Sequence, residues 1–471
     1  VSAPARTFAT AARESLADTR LRRNLRVATT TMRARRAAAT AELTDWEGLR
    51  EAGRAIKDRT LLDLDGHLEE LERAVTEAGG TVHWARDAAA ANEIITGLVL
   101  ATGETQVVKA RSAVTREIGL NAALARAGVT AWETDLAELI VQLGGDRPAH
   151  LLFPSMHLGR AQVRELFLRE LPGVPAELTD DPEVLVAAAR DYLRERLLDG
   201  RVAISGVNFM VAETGTLVVV ESQGNARMCL TLPDTLISVA GIDKVVPGWA
   251  DLEVFLQLLP RSSAGERMSP YVSTWTGVSP GDGPREFHLV LVDNGRTDAL
   301  GDEVGRAALR CIHCSACLDV CPVYERTGGH AYGSAYPGPI GAILTPQLRG
   351  VESPAEASLP YASTLCGACG DVCPVKIDIP EILVHMRGEV VEARRWRPVP
   401  TPEMLMMRGV AWAMGDRRRY ESALQRGTRW ARLMARGGRI RRLPGLLGKW
   451  TAARDLQAPP KESFRGWWRH R

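Results

Sequence analysis

Seven of the eight cysteines of this 471-residue chain fall in two short runs. The first reads Cys311-Ile-His-Cys314-Ser-Ala-Cys317-Leu-Asp-Val-Cys321-Pro322, and the second reads Cys366-Gly-Ala-Cys369-Gly-Asp-Val-Cys373-Pro374. Thiolates spaced by two residues can wrap one iron–sulfur cubane, while a cysteine three residues further on, before proline, reaches away to a neighbouring cluster; C-x2-C-x2-C-x3-C-P is the spacing of a [4Fe–4S] site. A disulfide framework suits small secreted chains rather than one of this length. A zinc site would use its ligands in pairs, not four in one tight run closed by proline.

The pattern predicts two clusters with crossed ligation. Cys311, Cys314, Cys317 and Cys373 would hold a first, [4Fe–4S] cluster, and Cys321, Cys366 and Cys369 a second. The second run lacks its opening cysteine, because Ser363 stands three residues before Cys366. Three outcomes are open there. A [3Fe–4S] cluster needs only three thiolates; Ser363, another residue or a partner subunit completes a [4Fe–4S] cluster; or the open iron binds a substrate.

Other residues in and around the runs have chemistry to offer. The 44 residues between the runs contain Gly328-Gly329-His330-Ala-Tyr332-Gly333, where dense glycine permits close backbone approach. His330 is a candidate catalytic residue that would tune a cluster, relay a proton or bind a carboxylate, the ordinary alternative being a loop hydrogen bond. His313, inside the first run, is expected to modulate solvation rather than to ligate iron. Upstream, the stretch from Lys109-Ala-Arg111-Ser112 to Glu117 and Asn121 puts polar groups where a strand meets a helix, the crevice position of an open α/β sheet. Lys109 and Glu213 are further catalytic candidates. Asn208, Glu213-Thr-Gly-Thr216 and Gly224-Asn225-Ala-Arg227 add polar groups at strand ends, which read either as an anion site or as ordinary turns. Cys229 reads as a buried thiol in a strand. There is no G-x-G-x-x-G or Walker loop to support a nicotinamide or ATP site.

The elements that must position these groups alternate. Residues 1–80 read as a helical segment with helices over 15–41 and 63–78 and a helix start at Asp45. Residues 81–295 alternate strand and helix: strands over 81–84, 105–109, 130–134, 202–205, 216–221, 227–231 and from 237, with helices over 88–100, 114–127, 182–198 and 249–259. Such alternation predicts an α/β layer built on a mostly parallel sheet. Residues 300–395 form the cysteine module, helical outside its loops, with a helix over 381–395; Pro398-Val-Pro400 reads as a linker.

Residues 401–471 carry 17 Lys/Arg against 5 Asp/Glu, within a chain whose net charge is +2. This basic tail, rich in Trp and Met, suits a solvated helical pair, a protein dock or peripheral contact with an anionic membrane. No recognised nucleic-acid motif accompanies the charge. With no apolar run of signal-peptide or membrane-spanning length, the expected location is the cytoplasm, with membrane association through the tail as an option.

Residues 107–121, Gly206-Val-Asn208-Phe, Ala212-Glu-Thr-Gly-Thr-Leu217, Gly241-Ile-Asp-Lys244-Val-Val-Pro247 and Leu259-Pro-Arg261-Ser262 resemble the LUD domain. Joined to the cysteine runs and the Gly328–Gly333 motif, they resemble the lactate utilisation protein B family over nearly the whole chain. The resemblance implies a LUD domain similar to the sugar-phosphate isomerase and CoA transferase fold, followed by a ferredoxin-type module. It implies an iron–sulfur subunit acting with two partner proteins in bacterial oxidation of L-lactate to pyruvate. The alternative is a CoA- or acyl-ligand enzyme whose clusters brace the fold or sense. A small 2-hydroxy acid or an electron carrier is the expected small partner.

Overall fold

The structure, a computed structural model, describes residues 6–395 and 400–470. It has two compact units, Val1–Val390 and Val391–Arg471.

The first unit is α/β. Six strands form one wholly parallel sheet: β1 (Thr81–Ala85), β2 (Gln106–Lys109), β3 (Thr130–Glu133), β4 (Val202–Gly206), β7 (Thr235–Gly241) and β10 (Glu286–Val292), in the spatial order β1-β10-β7-β4-β2-β3. A second sheet of order β8-β5-β6-β9 is made by β5 (Phe209–Val211), β6 (Thr216–Glu221), β8 (Val245–Val246) and β9 (Tyr271–Trp275). All seven residues of β7 are buried, as a central parallel strand covered on both faces requires. Strand β10 shows the period of two that splits the core. Phe287, Leu289 and Leu291 pack with Leu71, Val75 and Leu236 on one face. Val290 and Val292 pack with Ile95, Val99 and Leu124 on the other.

Three local readings change. Residues 227–231 form a helix, Asn225–Thr231, not a strand. Gly224 turns the chain at a φ of 79°, and the Glu221 carboxylate accepts the amides of Ala226 and Arg227 at 3.0 and 2.7 Å, capping a helix start. Cys229 is thus helical, though buried as expected. The helix expected over 114–127 divides into Ala113–Glu117 and Leu120–Arg126 at left-handed Gly119. The helix expected over 15–41 divides at Asp18, which leaves the helix Phe8–Ala17 and caps Thr19–Ala41 by accepting the Leu21 amide at 2.9 Å. Strands β5, β9 and β10 were not anticipated.

The N-terminal helices pack on the cysteine module. In Thr19–Ala41 the buried Leu25, Thr29 and Met32 recur at helical spacing, and Arg36 reaches the Val372 carbonyl at 2.8 Å. From the helix Trp46–Leu62, Arg50 donates to the carbonyls of Cys373 and Asp371, each at 2.8 Å. The module itself is built of short helical turns around the cysteines, ending in the longer helix Ile379–Arg395.

In the second unit, the helices Pro402–Met414 and Arg417–Met434 bury no residue, and Phe464, Trp467 and Trp468 form an aromatic group in Phe464–Arg469. Of the expected linker, Pro398 and Val399 lie outside the described residues. Among the described residues no helix is long and apolar enough to cross a membrane.

Candidate iron–sulfur site and adjoining cavity

The loop from Cys311 to Cys317 folds back on itself because His313 and Ser315, on either side of Cys314, both take left-handed backbone conformations with φ of 57° and 67°. The His313 amide donates to the Cys311 sulfur at 3.4 Å. Together Cys311, Cys314, Cys317 and Cys373 line one small chamber, walled by Leu151, Ile312, Ile340, Val375 and Ile377. Burial, compounded by the mutual repulsion of the thiolates, pushes Cys311 up to about 12 and raises Cys314 and Cys317 further. Four thiols gathered in an apolar chamber, each resisting ionisation, make a donor set that becomes favourable when a cationic iron–sulfur core supplies the missing charge. The surroundings fit such a group. Arg50, Arg36 and Lys244 are anchored on the carbonyls of Cys373, Val372 and Cys311, so positive charge surrounds the chamber.

The remaining three cysteines of the runs lie near one another and beside the first group, Cys317 responding to the charge of Cys369. Cys369 responds to the charges of Cys321 and Cys366, and Cys321 to that of Cys366. Burial pushes Cys369 up to about 12. The Cys321 sulfur accepts the Tyr324 amide at 3.5 Å. In the first group Cys314 and Cys373 are buried and Cys311 and Cys317 half-buried; in this one Cys321 and Cys369 are buried, while Cys366 is exposed, as is Leu365 beside it.

A second cavity, of about 110 Å³, opens at the carboxyl ends of β2 and β4. Its lining includes Arg111, Ser112, Arg116, Ser205 and Asn208, with Lys244 and His313 completing it from the side of the first cysteine run. Open parallel sheets bind ligands at this end. Arg111 is held by the Leu152 carbonyl at 2.6 Å and lies 3.6 Å from Asp135. Arg116 Nε lies 3.7 Å from a Glu138 carboxylate oxygen, within ion-pair range but too far for a hydrogen bond. Burial keeps the His313 imidazole well below its ordinary value, hence neutral, with its ring 5.1 Å from that of Tyr336.

The strand ends are joined to the cysteine module by a buried ionic network. Arg296 binds Glu117 through both terminal nitrogens, at 2.9 and 2.8 Å, and Asp243 through Nε at 2.6 Å. Asn294 donates to Glu117 at 2.7 Å, and the Tyr336 hydroxyl, from the insert between the runs, donates to the same carboxylate. Burial acts to raise Asp243, but Lys244, Arg296 and Lys57 overcome it and hold that carboxyl far below its usual range. Glu117 is likewise held low against its burial, by Arg296 foremost. The sequence signalled Glu117 through its strand-to-helix position. Asp243 lies in the Gly241–Pro247 stretch that carries the resemblance, but nothing there marked it as an ion-pair partner, and Arg296 and Tyr336 meet it and Glu117 only across distant segments.

The other candidates lie elsewhere. Lys109 is buried in a 2.7 Å ion pair with Glu133 and also donates to Thr115 at 3.2 Å. Glu213 accepts the Trp249 amide at 2.8 Å, capping the helix Trp249–Ser263. His330 meets the Arg147 carbonyl at 2.5 Å and stacks edgewise on His157, which binds Asp146 at 2.8 Å. Neither Lys109, Glu213 nor His330 lines the two cavities described above.

The comparisons with known proteins agree with this architecture. Residues 68–292 match the LUD domain, and residues 307–377 match the 4Fe-4S dicluster domain. Among curated proteins, Lactate utilization protein B of Oceanobacillus iheyensis is 43% identical over 91% of this chain and 89% of its own length. Lactate utilization protein B of Shouchella clausii is 40% identical over 98% of this chain and 97% of its own. A solved structure, that of a DUF162 family protein from Deinococcus radiodurans, aligns at a TM-score of 0.28 with 15% identity, over 49% of this chain and 98% of that one. With two relatives at this identity over nine-tenths of its length, the chain belongs to the lactate utilization protein B family.

Proposed function

We propose that this chain is the iron–sulfur electron-transfer subunit of a bacterial system that oxidises L-lactate to pyruvate, acting with two partner subunits. The names of its relatives and the dicluster match support the setting. The observation that carries the relay reading is the adjacency of two interleaved cysteine groups, one beside the cavity at the strand ends and the other with Cys366 exposed at the surface. Loss of two electrons and two protons converts the 2-hydroxy acid to pyruvate. In this reading a two-electron acceptor on a partner takes the pair, and iron–sulfur clusters held by this chain would supply one-electron carriers for its onward transfer. Cys311, Cys314, Cys317 and Cys373 would hold the first, [4Fe–4S], and Cys321, Cys366 and Cys369 the second. The protein's own part is to keep water from the first group with its apolar wall, to balance charge with Arg36, Arg50 and Lys244, and to present the second group to a partner.

One observation favours a second reading. Arg111 and Arg116 in the strand-end cavity suit a carboxylate, as an acyl-ligand site with bracing or sensing clusters would require. Anaerobically reconstituted protein mixed with its partner subunits and L-lactate separates the two. Reduced-cluster EPR signals appearing on addition of lactate, and their loss together with lactate oxidation in Cys317→Ser, are the expected result. Full lactate oxidation by Cys317→Ser would sink the relay.

A further inference from the structure

The second cysteine group lacks a fourth thiol, and the backbone around it shows what stands in the place. The two runs superpose in sequence at a constant offset, Cys311 with Ser363, Cys314 with Cys366, Cys317 with Cys369 and Cys321 with Cys373. They also superpose in conformation. In the first run the residues on either side of Cys314 are left-handed, His313 at φ 57° and Ser315 at 67°. In the second the residues on either side of Cys366 are left-handed, Leu365 at 56° and Gly367 at 87°. For leucine this region is disfavoured and persists where the surrounding structure demands it.

The side chain that opens each loop makes the same bond. The Cys311 sulfur accepts the amide two residues on, from His313, at 3.4 Å; the Ser363 oxygen accepts the amide two residues on, from Leu365, at 3.0 Å. An isolated serine turn makes such a bond too, but it does not require a left-handed leucine or reproduce a neighbouring metal-binding loop residue for residue. Arg387 holds the strand of chain that carries Ser363, donating to the Pro360 carbonyl at 2.9 Å and to the Ser363 carbonyl at 3.4 Å. The guanidinium thus fixes the backbone from which the Ser363 hydroxyl projects.

We propose that Ser363 Oγ is the fourth ligand of the second cluster, completing a three-cysteine, one-serine set for four irons. This rests on the reading that Cys321, Cys366 and Cys369 hold a cluster at all. On ligation the hydroxyl loses its proton to solvent as the iron–oxygen bond forms, and no electron is transferred. A hard alkoxide favours the more oxidised cluster relative to a thiolate, so the second cluster is expected to have a lower midpoint potential than its all-cysteine counterpart.

The test uses the full chain reconstituted anaerobically with iron and sulfide, as wild type, Ser363→Ala and Ser363→Cys, followed by iron content, Mössbauer spectra and EPR of the oxidised state. Wild type is expected to hold eight irons without a three-iron signal. Ser363→Ala is expected to lose one iron and gain that signal. Ser363→Cys is expected to keep eight irons and raise the potential of one cluster while the other is unmoved. The assignment is overturned by a three-iron signal in wild type, by four-iron occupancy of both sites in Ser363→Ala, or by unchanged potentials in Ser363→Cys. A wild type holding four irons, with Cys369→Ala no different, would instead remove the second cluster itself.

Discussion

At the scale of the residue, Glu117, Arg296 and Asp243 govern how the strand ends meet the cysteine module. Arg296 is shared by the two carboxylates and is 2% exposed, so none of the three charges has water to fall back on. Removing one partner from such a buried set costs about 3–5 kcal/mol, because the remaining charge stays uncompensated. Glu117→Gln is therefore expected to lower unfolding free energy by that order in denaturant titrations. The same residues set an acid limb. Both carboxyls are held below their unfolded values, so the stability they contribute is present above pH of about 4 and is lost as pH falls through their lower folded values. Unfolding followed from pH 7 to pH 2 should show this loss in wild type and a shallower one in Asp243→Asn. The cysteine groups were legible because their spacing is itself the signal. The triad as a unit was not, since Glu117 and Asp243 stand in separate stretches and Arg296 in none, and only the fold brings the three together.

At the scale of the element, the glycine-rich insert between the cysteine runs is a packing device. Sequence suggested that its glycines admit a bulky group, and the structure shows that what approaches is the chain's own backbone. A Cβ on buried Gly329 would sit 1.9 Å from the Ala149 carbonyl oxygen and 3.1 Å from Pro337. Neither neighbour is a flexible side-chain end, so the insert or the segment around Ala149 would have to move. Gly329→Ala is expected to destabilise by more than about 1–3 kcal/mol, the usual cost of overpacking. Gly97→Ala, on the helix Ala88–Ala101 with nothing within 4 Å of the new methyl, is expected to stabilise by about 0.5–1 kcal/mol. Thermal unfolding of the two variants side by side checks both signs. The α/β alternation was legible at this scale because strand and helix periods differ. The helix Asn225–Thr231 was not, because its start depends on Glu221 reaching forward to two amides, which no periodicity announces.

At the scale of the whole molecule, the first unit closes around its iron–sulfur module from a place the sequence did not indicate. Residues 1–80 read as a helical segment without a partner, yet Arg50 and the Cys373 carbonyl it binds are 323 positions apart. Contacts that long in sequence leave no local pattern to read. Arg50 donates twice to Cys373, once to Asp371 and, across its other face, to Glu47 at 2.6 Å, so it ties the end of the second run to the N-terminal helices. Cys373 belongs to the first group although it lies in the second run, and the same guanidinium therefore supports the crossing of the two. Arg50→Met keeps the buried volume but removes the guanidinium's hydrogen bonds to the Cys373 and Asp371 carbonyls, bonds of a kind worth about 1.5–3 kcal/mol each, and removes a positive charge beside the thiolates. Because bound clusters stabilise the folded state by mass action, the variant should show its loss in cluster retention as well as in unfolding. Exposed to an iron chelator under anaerobic conditions, Arg50→Met is expected to bleach faster than wild type at the first cluster. A bleaching rate equal to that of wild type would mean that the N-terminal helices pack on the module without holding it together.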